Sequence, residues 1–396
     1  MGLPVLICGK DTGLKNMIKR TVAVFAAFAA AFFLLLWSED KAFATDLKIT
    51  DAEEFTVEEH KNSILVTLQN PYPGAVEPAR YLLVPRGTDT ETAGLDNFIT
   101  VEVPVRRSVS TTTVNLAFMR QLGVTDSLVG LGGRKYVYSP DEYEVNLPEV
   151  GEGMNLDLEE VIRLAPDVVF AYAFSPSEVD NFKRLEKIGI KIVYMSEYLE
   201  KTPLGRAEWI KYLSLFFCRE ERASDLFEKV RNNYLSLVEK ASSARRRPSV
   251  LVNKAMSGTW YVPAGDNWFS HLLQDSGASY PWAHAEGDRS IPLDLETVLE
   301  KAARADYWIN PGLWETLDDG LREDERYFLF KAFRSEQVYN NTARYRKNGG
   351  NDYHQSGVMR PDILLKDLVS VFHPEILPDH RLVYYRKLKW QDENQE

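Results

Sequence analysis

The tetrapeptide Leu-Asp-Leu-Glu occurs twice in this chain, at Leu156–Glu159 and at Leu293–Glu296. Each copy opens a similar passage, LDLEEVIRLAPDVVF in the first case and LDLETVLEKAARADYWI in the second. Leu158, Val161, Ile162 and Ala165 correspond to Leu295, Val298, Leu299 and Ala302. Both sets follow i, i+3, i+4, i+7, the spacing of one buried helical stripe. Asp157 and Asp294 stand where an N-cap belongs. Glu159 and Glu296 fall in the first helical turn and off the stripe, so both should face water. An acidic residue, Asp167 or Asp306, and a β-prone apolar run follow each helix. One shared tetrapeptide is within reach of chance; a shared stripe, cap and following strand are much less so. The pattern predicts two lobes of related plan, each with a glutamate at the same exposed place.

At 396 residues the chain has room for two or three domains. Strands and helices alternate from Ile99 to Met195 and again from Ser249 to Asn340, which is the signature of a parallel α/β sheet. Between them, Arg206–Ala244 contains no Gly or Pro and reads as a helical segment, with Arg219–Glu221 as the candidate place for a break. About 40 helical residues would span roughly 60 Å, a connecting rod. Asp46–Arg86 reads as strands around the Pro/Gly-rich turn NPYPGAVEP. The expected fold is α/β: two Rossmann-like lobes with parallel sheets, joined by a long rigid helix, plus an N-terminal β-hairpin extension over the edge of the first lobe. The boundaries fall at 45–202 for the first lobe with its extension, 203–247 for the helix, 248–388 for the second lobe and 389–396 for a frayed tail.

Residues 1–44 read as an export signal. Lys19 and Arg20 precede an unbroken apolar run from Val22 to Trp37, and Ala42-Phe43-Ala44 is an A-x-A cleavage pattern. Cleavage after Ala44 is expected, with Met17 as an alternative start and retention as an anchor as the competing reading. Of the two cysteines only Cys218 would remain, so no internal disulfide can form. It lies in the apolar stretch LSLFFC and reads as a buried small hydrophobe. The net charge of −11 argues against a nucleic-acid partner. No G-x-S-x-G, H-E-x-x-H or G-x-x-x-x-G-K-[ST] motif occurs, which weakens a secreted α/β enzyme as the alternative. The six histidines show no ligand spacing.

An exported chain of this plan resembles the ABC-transporter substrate-binding proteins for iron–siderophore, haem and vitamin B12. LPEVGEGMNLDLEEVIRLAPDVVFAY, PLGRAEWIKYLSLFF, IPLDLETVLEKAARADYWINPG and RPDILLKDLVSVFHPEIL carry the resemblance, over most of Val105–Leu388. It implies a periplasmic monomer, not an enzyme, with no cofactor of its own. Its two lobes would close on an iron- or cobalt-containing chelate. One exposed glutamate on each lobe would dock on arginines of the inner-membrane ABC permease; by motif these are Glu159 and Glu296. A ligand sensor on the same fold would need neither.

Ligands of open parallel sheets sit beyond the carboxyl ends of the strands. That rule nominates Arg134, Tyr136, Tyr138 and Tyr172 in the first lobe. In the second it nominates Trp260, Trp282, Arg289, Trp314, Asn351, Asp352 and Tyr353. Aromatic faces and cations suit a bulky anionic chelate. A direct metal bond from His284, His354 or Tyr353 stays open. The cobalamin binders have a tryptophan just before each glutamate helix; Gly151-Glu152 and Arg289-Ser290 stand there instead, so the same contacts are not expected.

Overall fold

The computed structural model describes residues 45–88, 95–139, 147–347 and 349–391; the segment read as an export signal lies outside them. Thr45–Glu54 is an arm that pairs with no strand, although its alternation predicts one. Its N–H groups have been claimed by two carboxylates. Glu208 accepts from Thr50 at 3.0 Å, Asp51 at 2.6 Å and Ala52 at 2.8 Å, and Glu200 accepts from Glu53 and Glu54 at 3.0 and 3.1 Å. Beyond the arm the expected hairpin is a four-stranded sheet of its own. β1 (Phe55–His60), β2 (Ser63–Leu68) and β3 (Ala79–Pro85) run antiparallel, and β4 (Ile99–Val103) lies parallel to β3.

The first lobe contains β5 (Ser108–Ser110), α1 (Val114–Leu122), β6 (Leu128–Leu131), α2 (Leu158–Leu164), β7 (Val168–Ala171), α3 (Pro176–Lys187) and β8 (Lys191–Tyr194). Its sheet is wholly parallel in the order β6-β5-β7-β8. Val168, Val169, Phe170 and Ala171 are all buried, as a strand covered on both faces requires. At the edge, the N–H and C=O of Tyr194 are taken by the hydroxyls of Tyr81 (2.9 Å) and Tyr212 (3.0 Å).

The connection between lobes is two helices, not one rod. α4 (Pro203–Leu215) ends before Phe216, and Cys218 takes a left-handed φ of 52° before α5 (Glu220–Ser242) begins. Cys218 is therefore a half-exposed turn residue and not part of a buried helical face. α5 folds back along α4, with the Lys211 ammonium 4.4 Å from the ring centre of Phe227. Every residue of α4 is buried except Arg206. α5 buries one stripe, whose Tyr234, Leu237 and Ala241 enter the second lobe's core beside Leu204.

That lobe runs β9 (Val250–Val252), β10 (Ala255–Met256), β11 (Thr259–Pro263), α6 (Trp268–Asp275), β12 (Ser290–Leu293), α7 (Leu295–Ala302), β13 (Tyr307–Ile309), α8 (Leu317–Glu323), α9 (Lys331–Arg334), β14 (Val338–Asn340), α10 (Asp352–Gln355), α11 (Pro361–Phe372) and β15 (Arg386–Lys387). β9, β13 and β14 are parallel, with β15 antiparallel at the edge; β10, β11 and β12 form a separate antiparallel sheet. Lys389–Gln391 is not frayed. The Lys389 carbonyl accepts from Leu317, the Trp390 ring packs 5.6 Å from Phe333, and the Gln391 N–H meets Asp318.

The internal repeat is structural. Asp157 and Asp294 accept from Glu160 and Thr297 and cap α2 and α7. Asp167 accepts from Arg106 and Arg107 ahead of β5, and Asp306 accepts from Ser249 ahead of β9. Each lobe thus ties its central strand to the start of its neighbour through the same acid. Burial works against the charge of Asp306, but Lys331, the Ser249 N–H and Arg246 outweigh it and hold its pKa to about 2. One part of the predicted stripe fails. Proline 166 disfavours α geometry at Ala165, which turns left-handed at φ 44° and ends α2 early. Ile162 is consequently 47% exposed and Ala165 faces water, whereas Leu295, Val298 and Ala302 of α7 are buried as expected.

Candidate functional site

The carboxyl ends of β5, β6 and β7 open on a hollow of about 400 Å³ lined by Thr111–Val114, Gly132, Tyr136, Tyr172 and Phe174. Tyr172 also borders a second hollow of about 120 Å³, shared with Arg206 of α4 and with Trp268, Tyr353 and His354 of the second lobe. Phe174 and Trp268 border a third, of about 570 Å³, that reaches Tyr198 and Arg289. Shared walls make these one cleft between the lobes.

Its first-lobe wall is aromatic. Tyr172, Phe174 and Tyr198 form a triangle of rings with centres 4.8–4.9 Å apart, and Phe174 is 57% exposed. The Tyr198 hydroxyl anchors this cluster on the Ala173 carbonyl. At the floor, the guanidinium of Arg206 lies 4.5 Å from the Trp268 ring centre, a cation–π contact that joins the connecting helix to the second lobe. Arg206 Nε is buried without a hydrogen-bond partner. Glu197 is fully buried, with one carboxylate oxygen 3.1 Å from the Tyr172 hydroxyl and the other unpaired. Burial raises the Glu197 carboxyl, aided by Glu200, against the opposing pull of Arg206 and Tyr172. Burial likewise pushes the Tyr172 phenol well up, with Glu197 adding to it. His354 is exposed on the cleft side, where it lines the second hollow; desolvation by the protein around it, with Arg206 beside it, drops its pKa to about 4. The floor thus offers phenol and imidazole groups and the Arg206 cation, while the wall offers ring faces. That suits a large, flat, anionic chelate.

Four of the nominated residues line the cleft: Tyr136, Tyr172, Arg289 and Tyr353. The other seven are placed differently, each for a physical reason. Trp260 is the inward member of the alternation in β11, so it points into the core, where Nε1 donates to the Val252 carbonyl at 2.8 Å. Trp314 packs on Trp308 and donates to Glu323 at 2.8 Å. Trp282 packs on Tyr280, 4% exposed, with Lys301 over its ring. Asn351 caps α10 by accepting from Tyr353, and buried Asp352 is paired with Arg344 at 2.7 Å. Arg134 folds outward onto the Leu147 carbonyl. Tyr138 bridges the lobes: its N–H donates to Gln355 at 3.0 Å and its ring carries Arg344 at 4.9 Å. Close by, Gly349 sits at φ +101°, and a Cβ there would lie 2.9 Å from the Tyr136 ring. These loops therefore close the front of the cleft on each other.

Trp268, Arg206, Tyr198 and Glu197 escaped the sequence reading. Polarity alone does not single out Arg206, because Glu208 and Lys211 are charged in the same helix and are buried. Among the described residues no three His, Cys, Asp or Glu side chains converge on a metal position, so the aromatic walls, Arg206 and the neighbouring Tyr353 and His354 are what the cleft offers a chelated metal. Both repeat glutamates are exposed, in the first turns of α2 and α7; Glu296 is 77% exposed with Arg326 3.7 Å away.

Comparison with known proteins agrees with this architecture. The chain is 27% identical over 313 residues to an uncharacterized lipoprotein of Methanocaldococcus jannaschii, covering 76% of this chain and 72% of the relative. It is 22% identical to the high-affinity heme uptake system protein IsdE of Staphylococcus aureus, over 54% of this chain and 68% of that one. A periplasmic heme-binding protein from Pseudomonas aeruginosa shares the fold, with a TM-score of 0.56 and 16% identity over 73% of this chain and 99% of its own. Such proteins bind solutes and are not enzymes, which removes the enzyme alternative. A family model described as periplasmic binding protein matches residues 109–345, well over half of the sequence, and the chain belongs to that family.

Proposed function

We propose that this protein is the substrate-binding component of an ABC importer, which captures an iron- or cobalt-containing chelate in the interlobe cleft and delivers it to an inner-membrane permease. The signal directs it to the periplasm and is cleaved after Ala44. The observation that supports this reading best is the cleft itself, with the Tyr172–Phe174–Tyr198 ring cluster facing Arg206 stacked on Trp268. Haem is the first ligand to try, given the likeness to a heme uptake protein; ferric siderophores and cobalamin come next. The matched Glu159 and Glu296 are the docking contacts, since exposed Glu–Arg pairs give orientation and fast encounter while still allowing release. The test is the double variant Glu159→Ala with Glu296→Ala in cells that depend on this importer. Uptake should fall at least tenfold while the affinity of the purified protein for haemin stays within about twofold of wild type. Uptake at the wild-type rate would remove the docking role, and a wild-type protein that binds none of the three chelates would remove the ligand class.

A further inference from the structure

The four-stranded sheet precedes the residues matched by the family model, 109–345. Its β2–β3 turn nevertheless reaches the cleft. The Pro71 carbonyl accepts from Ser196 at 2.6 Å, and the Tyr72 ring packs at a tilt on Tyr194 with centres 5.5 Å apart. These contacts fix the turn at the carboxyl end of β8, the strand edge nearest the ring cluster. There Asn70 and Tyr72 form one side of the 570 Å³ hollow whose other sides are Phe174 and Tyr198 of the first lobe and Trp268 and Arg289 of the second.

The charged groups around this hollow are mostly committed. Lys201 pairs with Asp266 at 3.0 Å, Glu200 holds the arm and the Trp209 indole, and Glu54 accepts from Asn70 at 2.7 Å. Among the described residues, the Arg289 guanidinium and the Tyr72 hydroxyl make no hydrogen bond or ion pair. Among the described residues the Asp288 side chain on the same rim also makes no hydrogen bond or ion pair, so a free cation and a free phenol face, beside one uncommitted carboxylate, a polar space that continues from an aromatic-walled cleft. Without the turn this space would stand open on the β8 side.

We propose that the N-terminal extension is a third wall of the ligand site, with Tyr72 as a specificity-determining residue. Together with Arg289 it takes a carboxylate-bearing arm of the chelate that projects from the aromatic part of the cleft. The inference rests on the cleft being the ligand site. It adds that the extension selects among chelates by their anionic arms.

Haemin, which carries two carboxylates, and its dimethyl ester, which carries none free, are the probes. Both are titrated into the full mature chain and into Tyr72→Phe, Tyr72→Ala, Arg289→Met and Val76→Ser. Val76 is in the same turn but 97% exposed, so its variant controls for disturbance of the turn. Tyr72→Phe keeps the ring packed on Tyr194 and guards against a folding defect in Tyr72→Ala. Tyr72→Phe and Arg289→Met should each weaken haemin about three- to tenfold and leave the ester unchanged. Val76→Ser should match wild type with both probes. Saturation with haemin should also slow amide hydrogen exchange across residues 69–78. Wild-type haemin affinity in every Tyr72 and Arg289 variant, or equal affinity of the wild-type chain for haemin and ester, would overturn the third wall alone. A wild-type chain that binds neither probe would instead overturn the ligand reading beneath it.

Discussion

Glu208 ties the N-terminal arm to α4. It is fully buried, forms an ion pair with the equally buried Lys211 at 2.7 Å, and accepts N–H groups from three successive residues of the arm. Glu208→Gln keeps the shape and one acceptor oxygen but removes the charge. Each of the three arm contacts then drops from a charge-assisted to a neutral hydrogen bond, a loss of roughly 1 kcal/mol apiece. Lys211 keeps the Lys48 carbonyl at 2.7 Å and a distant Glu228 at 4.0 Å, too little to compensate a buried ammonium. The expected total is about 3–5 kcal/mol, the usual range for breaking a buried pair. Detachment of the arm into water sets the upper limit. Urea unfolding of the mature chain measures it. Adding Lys211→Met to Glu208→Gln should recover at least about 1 kcal/mol, because the orphaned charge is gone. A loss below about 1 kcal/mol in the single variant, or strict additivity in the double, would refute the pairing argument.

Trp268→Ala removes both the ring under Arg206 and a wall common to two of the hollows, so haemin affinity should fall about tenfold or more in an absorbance titration. Unchanged affinity would place the ligand elsewhere. His354 titrates low in the folded chain, about 4 against an ordinary 6.5, so its contribution to stability is complete above 6.5 and is lost as the pH falls toward 4. Discounted for its exposure to the cleft, this amounts to about 1–2 kcal/mol, read as the difference between wild type and His354→Gln at neutral and at mildly acidic pH. A difference independent of pH would show that the imidazole is not desolvated. Cys218→Gly should be neutral or stabilise by up to about 1 kcal/mol, because glycine adopts the left-handed φ of 52° without strain. Burial, with Glu220 adding to it, pushes the native thiol up to about 11, so a thiol reagent should modify it slowly at neutral pH.

The repeat was legible because it combined spacing, caps and an acid at fixed offsets, and those local features decide local structure. Asp157 and Asp294 cap as the pattern required, and the strands after α2 and α7 lie at the centres of parallel sheets. Tertiary contacts decided the rest. The LKITDAEEF alternation yields no strand, since Glu200 and Glu208, some 150 residues away, take the N–H groups that a sheet would need. No composition signal at the arm announces those acceptors. The connecting helices break where Cys218 turns left-handed, next to the Arg219–Glu221 break the sequence offered, although no glycine or proline marks it.

The cleft was half legible for a reason rooted in strand geometry. The rule that ligands meet strand carboxyl ends picked out Tyr136 and Tyr172, which do line the hollow there, because it depends only on order along a parallel sheet. It failed for Trp260, Trp282 and Trp314, because a tryptophan after a strand can turn inward as readily as outward, and the second lobe's antiparallel sheet turns Trp260 into the core. The residues that line the remaining hollows come from three distant segments: Tyr72 from a turn ahead of the family domain, Arg206 from the connecting helix and Trp268 from the start of α6. Arg206 and Trp268 are outward exceptions in helices whose other large apolar residues are buried. Arg206 is the one residue of α4 that is not buried, but with Glu208 and Lys211 charged and buried in the same helix only the structure separates it from them. Where packing has no use for a side chain at such a position, a ligand becomes the physical explanation that remains to be tested.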